Sequence, residues 1–202
     1  MKYDPGAWEK LGDKFTNNYE VGMLDYRKNI IDVILKLEHE CDIILEIACA
    51  DGWFIEKLRN NGFMNHYLGV DITPNLIDRA RKRMLSESFD IMDATDMYLI
   101  SDEEFSFVLC AGLLMHLPHY RKAILEACRT SNKYVLFSTY GTFERMGYSI
   151  QEETQRFVNN VYTIDDIVKF VPREFKLIEF KAFQRTSNFN IFQFLYARAD
   201  FP

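Results

Sequence analysis

Five short apolar runs, spaced by turns and by segments of helical periodicity, restrict this chain to an α/β fold more tightly than any other feature of it. Ile43-Ile44-Leu45-Glu46-Ile47 has the nearly continuous apolar character of a strand buried on both faces. Residues 53–61 then return to helical spacing and stop at Gly62. Tyr67-Leu68-Gly69-Val70-Asp71 is the second strand, and Thr73-Pro74 supplies an N-cap and a first-turn proline for a helix reaching about Met84. Further strands are expected over 89–94, 105–111 and 134–140, with a helix over 120–129 before the last. Strands alternating with helices imply right-handed crossovers and a parallel sheet covered on both faces.

The last third differs. Two long strand-like segments, 175–183 and 189–198, follow a short helix near 165–171. Only about five residues join them, so they should form an antiparallel hairpin. A leading helix is expected over 24–40, from Ile30, Val33, Ile34 and Leu37. The 202 residues suffice for one domain of ordinary size, and no repeat or linker divides them. This domain is expected to comprise a helical cap (1–40), a core (41–140), a segment of mixed polar and aromatic residues (141–162), and a closing helix and hairpin (163–202).

Composition narrows the function classes. Twenty-four basic against 30 acidic residues give a net charge of −6, and the one dense basic run, 79–83, has the pattern of a solvated helix face; a nucleic-acid partner is not expected. The opening Met1-Lys2-Tyr3-Asp4-Pro5-Gly6 lacks the apolar run of a signal peptide, and no stretch approaches the ~20 apolar residues of a membrane span, so a soluble, cytoplasmic protein is expected. Cys41, Cys49, Cys110 and Cys128 form no C-x-x-C pair and suit reduced, buried thiols. His116 and His119 are spaced to share a helix face, but Pro118 lies between them and no third ligand is nearby, so no metal site is expected.

In such a sheet, ligands bind beyond the carboxyl ends of the strands, where strand order reverses. The first strand runs into Ala48-Cys49-Ala50-Asp51-Gly52, small residues that let backbone approach a ligand. Asp71 closes the second strand, where a carboxylate can accept both hydroxyls of a ribose. Asp93 can accept from an exocyclic amine, and Cys110-Ala111-Gly112 ends the fourth strand with small side chains. Together these describe a cleft for a nucleoside.

In these segments the chain resembles the class I methyltransferases that depend on S-adenosylmethionine. Residues 44–52 resemble that family's first motif, a carboxylate followed by alternating small residues, and Leu68-Gly69-Val70-Asp71-Ile72-Thr73-Pro74 resembles the second, whose acid holds the ribose. Met92-Asp93-Ala94 resembles the adenine-binding turn, and residues 107–118 resemble the fourth-strand motif. The resemblance implies a Rossmann-like, mostly parallel seven-stranded sheet with an antiparallel C-terminal strand and helices on both faces. It implies S-adenosylmethionine as cofactor and S-adenosylhomocysteine as product. The implied cofactor contacts are Glu46, Ala48, Cys49, Ala50, Gly52, Asp71, Ile72, Asp93, Ala94, Cys110 and Ala111, with Tyr19 from the leading segment.

His116 and Tyr140 are the candidates to receive an acceptor's proton. The two segments outside the core, with Trp8, Phe15 and Tyr19 in one and Phe143, Tyr148, Phe157 and Tyr162 in the other, are expected to form a lid that shapes the acceptor pocket. A small-molecule acceptor, methylated on oxygen in preference to other atoms, and a monomer or homodimer complete the expectation. The family's first motif usually carries three glycines, whereas only Gly52 remains here, beside Ala48 and Ala50. That departure motivates the alternative of a methyltransferase-like binding or scaffold protein without turnover. A nicotinamide oxidoreductase would need G-x-G-x-x-G after the first strand and ranks last.

Overall fold

The computed structural model describes residue 8 and residues 24–143, 149–153, 157–184 and 189–199. Its centre is a seven-stranded sheet of order β3-β2-β1-β4-β5-β9-β8, built from β1 (Ile43–Ile47), β2 (His66–Asp71), β3 (Ser88–Ile91), β4 (Phe105–Ala111), β5 (Ser131–Gly141), β8 (Phe175–Gln184) and β9 (Asn190–Arg198). The first five are mutually parallel; β9 runs antiparallel to both its neighbours. The expected closing hairpin is therefore present, and its second strand is the one inserted beside β5.

Alternation along each strand sorts the core into two layers. Ile44, Phe107, Leu109 and Leu136 face one side, under α1 (Asp25–Lys36), α2 (Trp53–Asn60) and α3 (Pro74–Arg83). Leu45, Val108, Val135 and Phe137 face the other, where α4 (Tyr120–Thr130) and α5 (Ile164–Val168) pack through residues such as Ile124 and Ile167. From β1 the chain moves outward through α2 and α3, and from β4 it moves the opposite way through α4. Right-handed crossovers thus put the helices on opposite faces and leave a crevice between the ends of β1 and β4. Among the described residues, no helix is long and apolar enough to cross a membrane.

Several boundaries differ from the sequence reading, each for a local reason. The leading helix ends at Lys36, and Glu38–Glu40 form a separate 3-10 turn. β3 stops at Ile91 rather than at residue 94, so Asp93 lies two residues beyond the strand. Thr73 occupies the N-cap of α3, but its side chain makes no capping bond. The segment after β5, for which no strand was expected, contains a two-stranded antiparallel sheet, β6 (Ser149–Glu153) with β7 (Phe157–Val161). Phe15, Tyr19 and Tyr148 lie outside the described residues.

At the end of β5, Gly141 lies beneath the ring of Phe192, and a Cβ there would fall within that ring. Phe192 is fully buried with Phe143, Phe180 and Phe194 around it, so its ring must shift to admit a methyl group. Gly141→Ala is expected to cost about 1–3 kcal/mol by overpacking, read as a lowered urea midpoint at unchanged slope.

Candidate functional site

The carboxyl ends of β1, β2 and β4, with the loop after β3, line a cleft that opens to solvent. Its floor is the loop after β1, in which Ala48 and Ala50 hold φ of 61° and 49° and Gly52 a φ of 78°. The alanines thus keep a left-handed conformation that glycine adopts without steric cost. Bonds to the neighbouring strand hold them there: Cys49 N–H donates to the Val70 carbonyl (3.0 Å) and Ala50 N–H to Asp71 Oδ2 (3.1 Å). Asp51, also buried, receives Arg83 Nη2 at 2.7 Å and ties the loop to the end of α3. Ala48→Gly and Ala50→Gly should each relieve this strain and raise stability by about 0.5–1 kcal/mol, after allowing for glycine's freer unfolded chain. A urea titration of each variant checks it.

Asp71 closes β2 on the cleft wall. Oδ1 accepts from the Thr73 N–H (2.9 Å) while Oδ2 accepts from Ala50, so the carboxylate is fixed in place. Burial pushes the Asp71 carboxyl above its ordinary value, against the lowering effect of the bonds from Thr73 and Ala50. Asp93 lines the cleft from the loop after β3, its Oδ1 accepting from both the amide and the hydroxyl of Thr95 at 2.8 Å. It is therefore a turn residue and a wall residue together, with Oδ2 outside the turn.

Ile72, Ala94 and Ala111 also line the cleft, as do Ala48 and Ala50. Glu46, Cys49, Gly52 and Cys110 do not; they stand behind it. Glu46 is 3% exposed and receives the Tyr67 hydroxyl at 2.5 Å. Burial raises its pKa to about 8, opposed by the Tyr67 bond and reinforced by the charges of Asp51 and Asp71. Gly69 makes this arrangement possible, because a Cβ there would meet Tyr67 Oη at 2.7 Å, Phe89 at 2.8 Å and Cys49 Sγ at 2.9 Å. Gly52 packs against Phe89 and Ala80 at the start of α2. Burial pushes Cys110 up to about 12 and Cys49 well above the ordinary thiol value, so neither is a ready nucleophile.

The opposite wall comes from the 3-10 turn Leu114–His116. The His116 ring lies 4.8 Å from that of Trp8 and 6.2 Å from that of Tyr140, which in turn lies 4.5 Å from Phe189. His116 and Trp8 line the cleft; Tyr140 stands one ring behind. Tyr19 lies outside the described residues. The sequence reading passed over Thr73, Leu76 and Met92 as wall residues. Their signal was adjacency: Thr73 and Leu76 fall two and five residues after Asp71, and Met92 lies next to Asp93. Asp71 and Asp93 are the charged residues on the described walls, which makes the cleft suited to a ligand with positive charge. Among the described residues no group of three or more His, Cys, Asp or Glu is placed to hold a metal ion.

Residues 44–133, the span holding β1 to β4 and all of the cleft's described walls but Trp8, match the family model described as a methyltransferase domain. This span is the part of the chain that is similar to a methyltransferase domain. A curated relative, the demethylmenaquinone methyltransferase of Leptospira interrogans, is 26% identical over 92 residues, 43% of this chain and 37% of that protein. The chain thus spans well under half the length of the curated relatives it matches. Among solved structures, the magnesium protoporphyrin IX methyltransferase ChlM of Synechocystis PCC 6803, with bound SAH, superposes with a TM-score of 0.72 at 13% identity, covering 96% of this chain and 97% of that one. The N-methyltransferase NodS of Bradyrhizobium japonicum WM9, in complex with SAH, superposes at 0.68 with 17% identity, over 96% and 99%. At these identities the structures share the methyltransferase fold.

Proposed function

We propose that this chain transfers a methyl group from S-adenosylmethionine to a small-molecule acceptor. The observation that carries this reading is the cleft itself, where a left-handed turn of small residues faces a fixed carboxylate at the end of β2. The walls fit the cofactor. Asp71 accepts from two backbone amides and from the Thr73 side chain, and a carboxylate has about four acceptor sites, so one ribose hydroxyl is taken directly and the second in place of the Thr73 side chain. Ile72, Met92 and Leu113 provide apolar surface for a flat base, and Asp93 an acceptor for its amine. The acidic walls suit a sulfonium and an ammonium.

When bound, S-adenosylmethionine supplies a methyl group on positively charged sulfur, already activated for in-line displacement, and leaves as S-adenosylhomocysteine. What the chain must do is align, exclude water and manage a proton. Asp71 and Asp93 fix the nucleoside, and the backbone of 48–52 admits the remainder of the cofactor. Glu46, behind the loop, ties β1 to β2 through Tyr67. Trp8, His116 and Tyr140 form the acceptor side. With an oxygen acceptor, a lone pair on oxygen forms the bond to carbon, and an imidazole nitrogen of His116 takes the hydroxyl proton.

The strained Ala48 and Ala50 favour a second reading, a cofactor-binding protein without turnover. Methyl-labelled S-adenosylmethionine, incubated with a panel of phenols, catechols and primary amines, separates the two. Labelled product supports transfer; saturable binding with no product from any acceptor supports the second reading.

A further inference from the structure

Both residues assigned to the acceptor's proton are held by one strand outside the main sheet. Tyr162, immediately after β7, is fully buried. Its amide donates to the Tyr140 carbonyl (3.0 Å), its carbonyl accepts from the Thr142 amide (2.9 Å), and its hydroxyl donates to the Leu114 carbonyl (2.8 Å). Asn160, 1% exposed, donates through Nδ2 to the Leu117 carbonyl (3.2 Å) and to Tyr162 Oη (2.9 Å). Leu114 and Leu117 bracket His116, so the turn that presents the imidazole is gripped at both ends.

The direction of these bonds is fixed by chemistry. A carbonyl only accepts, so the amide group facing Leu117 is the NH2. Asn160 Oδ1 is then buried without a partner among the described residues. An unsatisfied buried oxygen is costly, and leucine, of similar shape, would avoid it. The two donations from Nδ2 are what the asparagine contributes in return. The Tyr162 ring also packs 4.5 Å from that of Tyr120, at the start of α4, so the grip extends to the helix that follows the turn.

We infer that Asn160 and Tyr162 are positioning residues: they join the 3-10 turn carrying His116 to the end of β5 carrying Tyr140, and so set the imidazole against the cleft. The assignment rests on the proposed function for its purpose, but its geometry can be tested without an acceptor. In this account β7 and the His116 turn move as one body, while the polar anchors proposed for the cofactor, Asp71 and Asp93, bond to other parts of the chain.

Tyr162→Phe and Asn160→Leu are compared with the full-length parent by NMR of the four histidine rings, with His116 identified through His116→Gln. In both variants the His116 resonances should move and its titration midpoint should shift by at least a few tenths of a pH unit, while affinity for S-adenosylhomocysteine stays within about twofold. A merely structural role would lower the melting temperature and leave the imidazole unchanged. Folded variants whose His116 resonances and midpoint coincide with the parent overturn the inference. Should Asn160→Leu fail to fold, Tyr162→Phe, which removes one buried oxygen, decides alone. A parent chain that binds no S-adenosylhomocysteine contradicts the functional reading and leaves the His116 comparison intact.

Discussion

Replacing Asp71 by alanine should weaken S-adenosylhomocysteine binding by at least about a hundredfold, since each hydrogen bond to a charged group contributes roughly 1.5–3 kcal/mol and a ribose makes two. The same change removes the acceptor for two backbone amides, Ala50 and Thr73, so the floor of the cleft loosens as the ligand contact disappears. Those amides are buried or nearly so, and the loss should also destabilise the chain by about 1–3 kcal/mol. Calorimetry below the melting point of the variant separates lost affinity from unfolding. Asp93→Ala, at an exposed turn, should weaken binding by only a few-fold. Equal losses at the two positions would contradict the assignment of Asp71 as the principal anchor.

The second large effect depends on pH. Glu46 ordinarily titrates near 4.5 and is raised to about 8 by burial, so folding takes up a proton between those values. The stabilising contribution of the neutral carboxyl is complete below 4.5 and is lost as pH rises through 8. Glu46→Gln copies the neutral form, keeps an acceptor for Tyr67 and does not titrate. Its stability relative to the parent should therefore be near zero in acid. It should then rise by up to about 1.4 kcal/mol per pH unit across the intervening range, the slope for one proton. Asp51 and Asp71 are also raised by burial and titrate in both proteins, so the difference between the two isolates Glu46. Urea midpoints measured at four or five pH values provide the comparison; parallel curves would show that Glu46 is ionised in the folded chain.

The sheet was legible because Ile43–Ile47 and Phe105–Ala111 are apolar on both alternating faces, a pattern that only a covered parallel strand requires. Asp71 was legible for a related reason, as a carboxylate that ends such a strand and has to be satisfied locally. The hairpin of β6 and β7 was not. Ser149–Glu153 carries too much polar character to announce a strand, and Tyr162, the residue after β7, is secured by distant partners, Gly141, Tyr140 and Leu114. Nor could the left-handed conformation of Ala48 and Ala50 be read from alanine, whose methyl disfavours it; the bonds to Val70 and Asp71, about 21 residues on, impose it. The partner of Glu46 is likewise remote: Glu46 sits in register with Gly69, and the absence of a side chain there admits Tyr67.

Calorimetric titration of the intact chain with S-adenosylhomocysteine tests the central claim most directly. Saturable binding of one molecule per chain, abolished or nearly so in Asp71→Ala, is the predicted result. A folded protein that gives no heat of binding at millimolar ligand, by a method confirmed with a second probe such as ligand-detected NMR, would contradict it.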